Sequence, residues 1–340
     1  MSVEFGWKAS AEQFGPRELL ELSVLAEELG FGTVAVSDHF QPWRHTGGHG
    51  PSALVWLGAM GQASSNLTLA TSVLTPTLRY HPTIVAQAFA TLGDLNPGRV
   101  ILGVGTGEAL NEIPATGAEW PSGKERRARL GEAIELIRRL WTEERVTFEG
   151  EYYRTRIATI YDRPAEPIPI YMGASGPIAA KMAGRVADGF ITTSGKDPAL
   201  YDQLLGKVEE GAREVGRDFA AMDKMMEIKV SYDHDVEFAR KACEWWAALA
   251  LPGDVKSGVD DPLEMERLAD DALDRAHTRF IVTDDPHECV ERIRPYVELG
   301  FTRLIFHAPG TDQRRFMDQF AADVLPLLRT AFDLPAQARA

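Results

Sequence analysis

The sequence predicts an α/β fold, a (β/α)8 TIM barrel with insertions at the C-terminal face of its strands, and three observations predict it. Short apolar, β-branched runs alternate with longer stretches of helical spacing along almost all of the 340 residues. Two of those runs stop abruptly in clusters that carry potential acid/base groups. The first run is followed by Lys8-Ala9-Ser10-Ala11-Glu12-Gln13 and not by a Gly-rich phosphate fingerprint, which argues against a doubly wound open sheet. Parallel strands joined by helical crossovers and closed into a barrel bring every strand end to one face.

Taken in order, candidate strands lie at 3–7, 33–36, 67–74, 100–104, 168–172, 189–192, 226–230 and 303–306. Helical patterns fill 16–29, 82–95, 124–141 and 197–215 between them. Length beyond the ~250 residues of a typical barrel is expected as insertions. Residues 145–156, with Val146, Phe148, Tyr152 and Tyr153 around Glu149-Gly150-Glu151, read as a capping β-hairpin. Residues 247–262, with Pro252-Gly253 and Lys256-Ser257-Gly258, read as a mobile loop. Residues 279–283 read as an extra strand leading through Asp284-Asp285 into a helix opened by Pro286. No internal repeat interrupts the pattern, so 1–340 reads as one domain.

Composition sets outer bounds on function. With 44% hydrophobic and 25% charged residues the chain can bury a sizeable core. Lysine and arginine total 36 against 50 acidic residues, a formal charge of −14 that excludes a general binder of nucleic acid or anionic membrane but leaves room for a local basic pocket. Cys243 and Cys289 have no partner motif, so neither a disulfide framework nor a thiolate metal site is expected. The first ten residues lack a signal-peptide pattern, and no run approaches the ~20 apolar residues of a membrane span. The expected location is the cytoplasm. His45 and His49 are loop histidines without paired carboxylates, so no metal is expected.

The chemistry gathers where runs end. The run 33–36 breaks into Ser37-Asp38-His39-Phe40-Gln41-Pro42-Trp43-Arg44-His45, and the run 100–104 into Gly105-Thr106-Gly107-Glu108-Ala109-Leu110-Asn111-Glu112. A lone histidine at a strand end is most often structural; two strand ends that both carry acid/base groups favour a site. Asp38 has a second reading as a helix cap, Trp43 as a wall, and Glu108 as a solvated turn residue. Lys196, Lys256 and Arg279 would each read alone as solvated charges, but all fall in segments assigned to the active face of an acidic protein.

These segments, together with Thr71-Ser72-Val73-Leu74-Thr75-Pro76-Thr77, Thr193-Ser194-Gly195-Lys196, Asp260-Asp261-Pro262 and Phe306-His307-Ala308-Pro309-Gly310, closely resemble the glucose-6-phosphate dehydrogenases that use the deazaflavin coenzyme F420, within the luciferase-like barrel superfamily. The resemblance covers nearly the whole chain. It implies hydride transfer from C1 of a hexose 6-phosphate, glucose 6-phosphate foremost, to C5 of F420. It further implies His39 as base, Glu108 as proton donor near N1, Glu12 as assistant to the base or the sugar hydroxyls, and Trp43 as stabiliser and wall. Asp38, Ser72, Val73, Thr75, Gly105, Gly107, Asn111, Ala174, Ser175 and Gly176 are implied at the coenzyme, with a non-prolyl cis peptide at Ser72-Val73. Thr193, Lys196, Lys256 and Arg279 are implied at the sugar phosphate, and a homodimer is implied as the assembly. The family commonly has two glycines before Pro177 where this chain has Ser175-Gly176, which bears on substrate preference. Other readings are mannose or fructose 6-phosphate as substrate, or an FMN-dependent luciferase-like monooxygenase. The latter would want an apolar pocket where the cations stand.

Overall fold

The computed structural model describes residues 3–332. Its strands are β1 (Glu4–Ala9), β2 (Thr33–Val36), β3 (Thr68–Thr71), β4 (Val100–Val104), β5 (Val146–Glu149), β6 (Arg154–Ala158), β7 (Ile170–Gly173), β8 (Gly189–Thr193), β9 (Asp223–Tyr232), β10 (Ile281–Thr283) and β11 (Arg303–His307). Eight of them form a closed parallel barrel in the order β1, β2, β3, β4, β7, β8, β9, β11, with β11 returning to β1. β2 and β4 are buried along their whole length, as expected of parallel strands covered on both faces, and their bounds match the apolar runs. Six crossover or insertion helices start at a proline, among them Pro16–Glu28, Pro82–Leu95 and Pro286–Glu298, the last capped by the Asp285 side chain.

Side-chain alternation fills the barrel in layers. Ala35, Ala70, Ile101, Tyr171, Ile191, Met225 and Ile305 make an apolar plug across the middle. Beneath it, at the amino end of the strands, Arg303 donates through Nε to Asp223 (3.1 Å) and through Nη1 to Thr33 Oγ1 (2.6 Å) and Glu4. Tyr171 and Thr302 also donate to Asp223. Burial pushes the Asp223 carboxyl up, but the Arg303 charge and these hydrogen bonds outweigh it and hold it below the usual range.

The expected hairpin is present: β5 and β6 pair antiparallel, and Tyr153 beside it donates its hydroxyl to Thr77 O. The expected extra strand is also present, since β10 pairs with the upper part of β9. The expected mobile loop at 247–262 is corrected. Helical turns occupy Cys243–Ala250 and Gly253–Lys256, and a helix runs from Pro262 to Asp270 with Asp261 capping it. The reason is apolar content: Cys243, Trp246, Leu251, Met265, Ala276 and Phe280 make a satellite core of their own beside the barrel mouth.

Candidate active site

Above the apolar plug, the next inward positions are polar: Lys8 on β1, Ser37 and Ser72 just past β2 and β3, Glu227 and Lys229 on β9, and His307 on β11. Lys8 Nζ lies 3.0 Å from Glu227 Oε2 and donates to Ser72 O at 2.6 Å. Glu227 also meets His307 Nδ1 at 3.2 Å and Lys229 Nζ at 3.4 Å. Burial alone would push Glu227 up; two lysines and the imidazole hold its carboxyl well below the usual range.

On one side of this layer sit the proton-transfer groups. His39 Nε2 is 3.2 Å from Glu12 Oε1 and 3.8 Å from Glu108 Oε2. The two carboxyls are driven apart. Burial pushes Glu12 up, but His39, Lys8 and a hydrogen bond from the Ser37 hydroxyl together hold it low. Glu108 is pushed up by burial and by Glu12, and only partly brought down by His39 and Lys256. Its side chain is 47% exposed, and the burial of the remainder disfavours its charge. Two carboxyls pushed in opposite directions beside a histidine can serve as an acid/base set.

Asn111 fixes its geometry. Its Oδ1 accepts the backbone N–H of Phe40 (2.8 Å) and Gln41 (3.1 Å), which turns Nδ2 toward His39 Nδ1 (3.2 Å) and Glu108 Oε2 (3.4 Å). His39 Nδ1 also lies 3.2 Å from Gln41 O, so the ring has a partner in either tautomer. The Asp38 reading as a helix cap is corrected. Its carboxylate is fully buried and accepts from Arg79 Nη2 at 2.7 Å and Tyr80 OH at 3.2 Å, so it anchors the loop that carries His39 to the segment after β3.

An apolar wall adjoins this set. The Ser72-Val73 peptide is cis, and the Val73 side chain lies against Gly105 and Gly173. A Cβ on Gly105 would come within 2.6 Å of Val73, so only glycine leaves room for it there. Gly107 has φ +83 and packs near the buried Thr75. Ala174, the exposed Ser175 and Gly176 form the turn between β7 and the helix Pro177–Val186.

On the other side are the cations. Lys196 follows Thr193 at the end of β8, Lys256 lies in the helical insertion, and Arg279 precedes β10. The Lys196 ammonium is depressed by burial and by the charges of Arg279 and Lys256. Lys256 is brought to about 8 by burial and by Arg279, against the pull of Glu108. Its Nζ stands 5.6 Å from the centre of the Trp43 ring, which is itself 6.2 Å from the His39 ring. Arg279 Nε is buried with no hydrogen-bond partner among the described residues. Gly195, at φ +77, lets the β8 loop pass so close to Arg279 O that a Cβ would sit 2.3 Å from it. The three cations named from the sequence therefore lie close enough to depress one another's charge. Sequence reasoning missed Lys8, Arg79, Glu227, Lys229 and His307. The spacing of Met225, Glu227 and Lys229 carried the signal, because period two places all three on the inner face of one strand.

Comparison with known proteins agrees with this geometry. The model of the luciferase-like monooxygenase family matches residues 2–303. A protein of Nakamurella multipartita named F420-dependent glucose-6-phosphate dehydrogenase is 60% identical over 96% of this chain and 97% of its own. One of the same name from Intrasporangium calvum is 61% identical over 96% and 99%. Among solved structures, an F420-dependent secondary alcohol dehydrogenase in complex with an F420-acetone adduct is 36% identical, covers 97% of this chain and 100% of its own, and superposes with a TM-score of 0.91. The chain belongs to the luciferase-like monooxygenase family and, within it, to the F420-dependent glucose-6-phosphate dehydrogenases.

Proposed function

We propose that the protein oxidises glucose 6-phosphate at C1 to 6-phosphogluconolactone with F420 as the electron acceptor. The observation that carries this reading is the position of Lys256, whose Nζ stands 5.6 Å from the Trp43 ring beside His39 and which feels the charges of both Glu108 and Arg279. A sugar whose C1 lies at His39 and whose 6-phosphate lies among cations needs both in one cavity.

The residues fit the coenzyme: the Val73 side chain, given room by Gly105 and Gly173, offers an apolar wall to a flat ring. Ser72, Thr75, Gly107 and Asn111 would border that ring, with Asp38 holding the adjoining loop in place. Backbone N–H groups around Ala174, Ser175 and Gly176, at a helix N-terminus, would take its phosphate. When bound, F420 supplies C5 as hydride acceptor and N1, which gains the accompanying proton. His39 Nε2 removes the proton of the anomeric hydroxyl, and the ionised Glu12 at 3.2 Å stabilises the imidazolium that results. Glu108, whose carboxyl is pushed up by burial and by Glu12, is the proton donor. Trp43 walls the sugar site between His39 and Lys256. Thr193, Lys196, Lys256 and Arg279 bind the phosphate dianion by charge-assisted hydrogen bonds.

In the same reading residues 1–340 act as one domain, and the protein is a cytoplasmic homodimer. Exposed Val55, Ile84 and Leu95 on two neighbouring helices, Ala53–Ala63 and Pro82–Leu95, support the dimer, and two buried free cysteines suit a reducing compartment. Sedimentation velocity at micromolar concentration checks the dimer; a monomer would refute it.

The test of the activity is to mix the protein with oxidised F420 and glucose, mannose or fructose 6-phosphate and follow the visible absorbance of the coenzyme. Loss of absorbance, fastest with glucose 6-phosphate, is the expected result. No reduction with any of the three, or reduction of NADP or FMN at a comparable rate, would overturn the reading.

A further inference from the structure

Lys229 is a charged side chain at the pocket floor that neither the sequence motifs nor the reading above assigns. It lies on the inner face of β9, one inward position beyond Glu227, and its backbone N–H donates to Ser194 Oγ at 2.7 Å. That ties it to the loop Thr193-Ser194-Gly195-Lys196, the same loop that passes against Arg279. The side chain is 3% exposed, yet its only hydrogen-bond acceptor among the described residues is Glu227 Oε1, at 3.4 Å. An ammonium carries three donors, so two are left over. Glu227 in turn is already occupied by Lys8 at 3.0 Å and His307 at 3.2 Å, so its single negative charge is shared among several partners. Among the described residues no carboxylate lies within 4.0 Å of Lys196, Lys256 or Arg279. The pocket thus holds more positive charge than it can balance by itself.

We infer that Lys229 is a fourth phosphate-binding cation, kept at the floor of the pocket by Glu227 and turned toward the substrate phosphate with its free donors. This rests on the sugar-phosphate reading. A dianion with three peripheral oxygens accepts hydrogen bonds from several directions, and a donor beneath the two lysines, the arginine and the threonine of the rim completes the enclosure. The charge balance gives a pH signature. The groups that face Lys229 are Glu227 on its own strand, Lys8 from β1, His307 from β11, Lys196 from the β8 loop, and Arg279 and Lys256 from the insertion. Burial, Arg279 and Lys196 bring the Lys229 ammonium to about 8 against Glu227. A bound dianion reverses that, so binding takes up protons, and KM for the sugar phosphate rises as pH climbs past about 8.

The experiment compares the parent enzyme with Lys229→Gln and Lys229→Arg. In Lys229→Gln we expect KM for glucose 6-phosphate and the competitive inhibition constant of inorganic phosphate each to rise about ten- to a hundred-fold, the scale of one charge-assisted bond, with kcat within about three-fold. Lys229→Arg should recover most of the loss, which a purely structural role would not allow. Unchanged KM and inhibition constant in Lys229→Gln, or kcat and KM failing together in both variants, would overturn the inference. If the parent does not turn over glucose 6-phosphate, the sugar-phosphate reading fails by itself. Binding of inorganic phosphate, followed by tryptophan fluorescence through Trp43 beside Lys256, then decides the role of Lys229: weaker binding in Lys229→Gln supports it, and equal binding refutes it.

Discussion

The two ends of the barrel are built from similar residues and are opposite in electrostatic character. At the amino end Arg303, Asp223, Glu4, Tyr171 and Thr33 satisfy one another, and the guanidinium has a carboxylate on each side. At the carboxyl end Lys196, Lys229, Lys256 and Arg279 crowd together with too few carboxylates, Arg279 Nε has no partner among the described residues, and Glu108 is driven toward its neutral form. A closed network contributes stability; an unbalanced one holds charges ready for a ligand at some cost to the fold. The difference locates function without reference to any motif.

The proton-transfer set should show the largest effect. His39→Ala and Glu108→Gln should each lower kcat by about 10²-fold or more, the usual range for a lost general acid or base. F420 affinity, read by fluorescence titration, should change little. Near-normal turnover would remove that residue from the chemistry.

The closed end predicts the opposite pattern. Arg303→Leu strips Asp223 and Glu4 of their cation and should cost about 3 kcal/mol in urea unfolding, the lower end for breaking a buried pair. Turnover of the folded enzyme should stay within about two-fold. If turnover fell as far as in His39→Ala, the separation between the two ends would be wrong.

The sequence displayed much of this because buried parallel strands are written as uninterrupted apolar runs. β2 and β4 fall where those runs begin and end. The run 67–74 overshoots because the ladder stops at Thr71, and the chain then leaves it to set Val73 between Gly105 and Gly173; Leu74 returns only as an isolated bridge to Val104. The run 226–230 undershoots β9 for the opposite reason. Lys224, Asp223 and Ser231 look like strand ends in a sequence, but all find partners inside the protein: Asp223 through Arg303, Lys224 through the carbonyls of Phe219 and Met222, and Ser231 through Ala239 O. Buried polar pairs that join β1 to β9, such as Lys8 with Glu227, have no local pattern. The insertion at 247–262 was misread because its Gly and Pro residues are local signals for loops, whereas Trp246, Leu251 and Phe280 bury together only once the chain has folded.

A smaller expected effect separates the cations from the acid/base set. Lys196→Ala and Arg279→Ala should raise KM for glucose 6-phosphate about ten- to a hundred-fold, and kcat should fall less, because the phosphate is remote from C1 and binds alike in ground and transition states. Steady-state kinetics check this; an unchanged KM in both variants would end the hexose-phosphate assignment while leaving the deazaflavin assignment standing.

The smallest effect is on stability against pH. Lys229 and Lys256 release their protons near 8 in the free folded protein, below the ordinary lysine value. Between that point and the unfolded value the unfolded chain binds more protons, so these two groups make the free protein more stable as pH rises from 8 toward 10. Chemical denaturation at several pH values should show that upward contribution in the parent, reduced in Lys229→Met and suppressed by saturating inorganic phosphate. The same slope in all three would contradict the charge imbalance.

The most direct measurement of the central claim is the ratio of kcat/KM for glucose 6-phosphate to that for free glucose, with F420 as acceptor, in the parent and in Lys256→Ala. Lys256 feels the charges of both Arg279 and Glu108, so the parent should favour the phosphorylated sugar strongly, and the variant should lose about ten- to a hundred-fold of that preference. A ratio that is the same in both proteins would show that the cations at the barrel mouth do not read the phosphate.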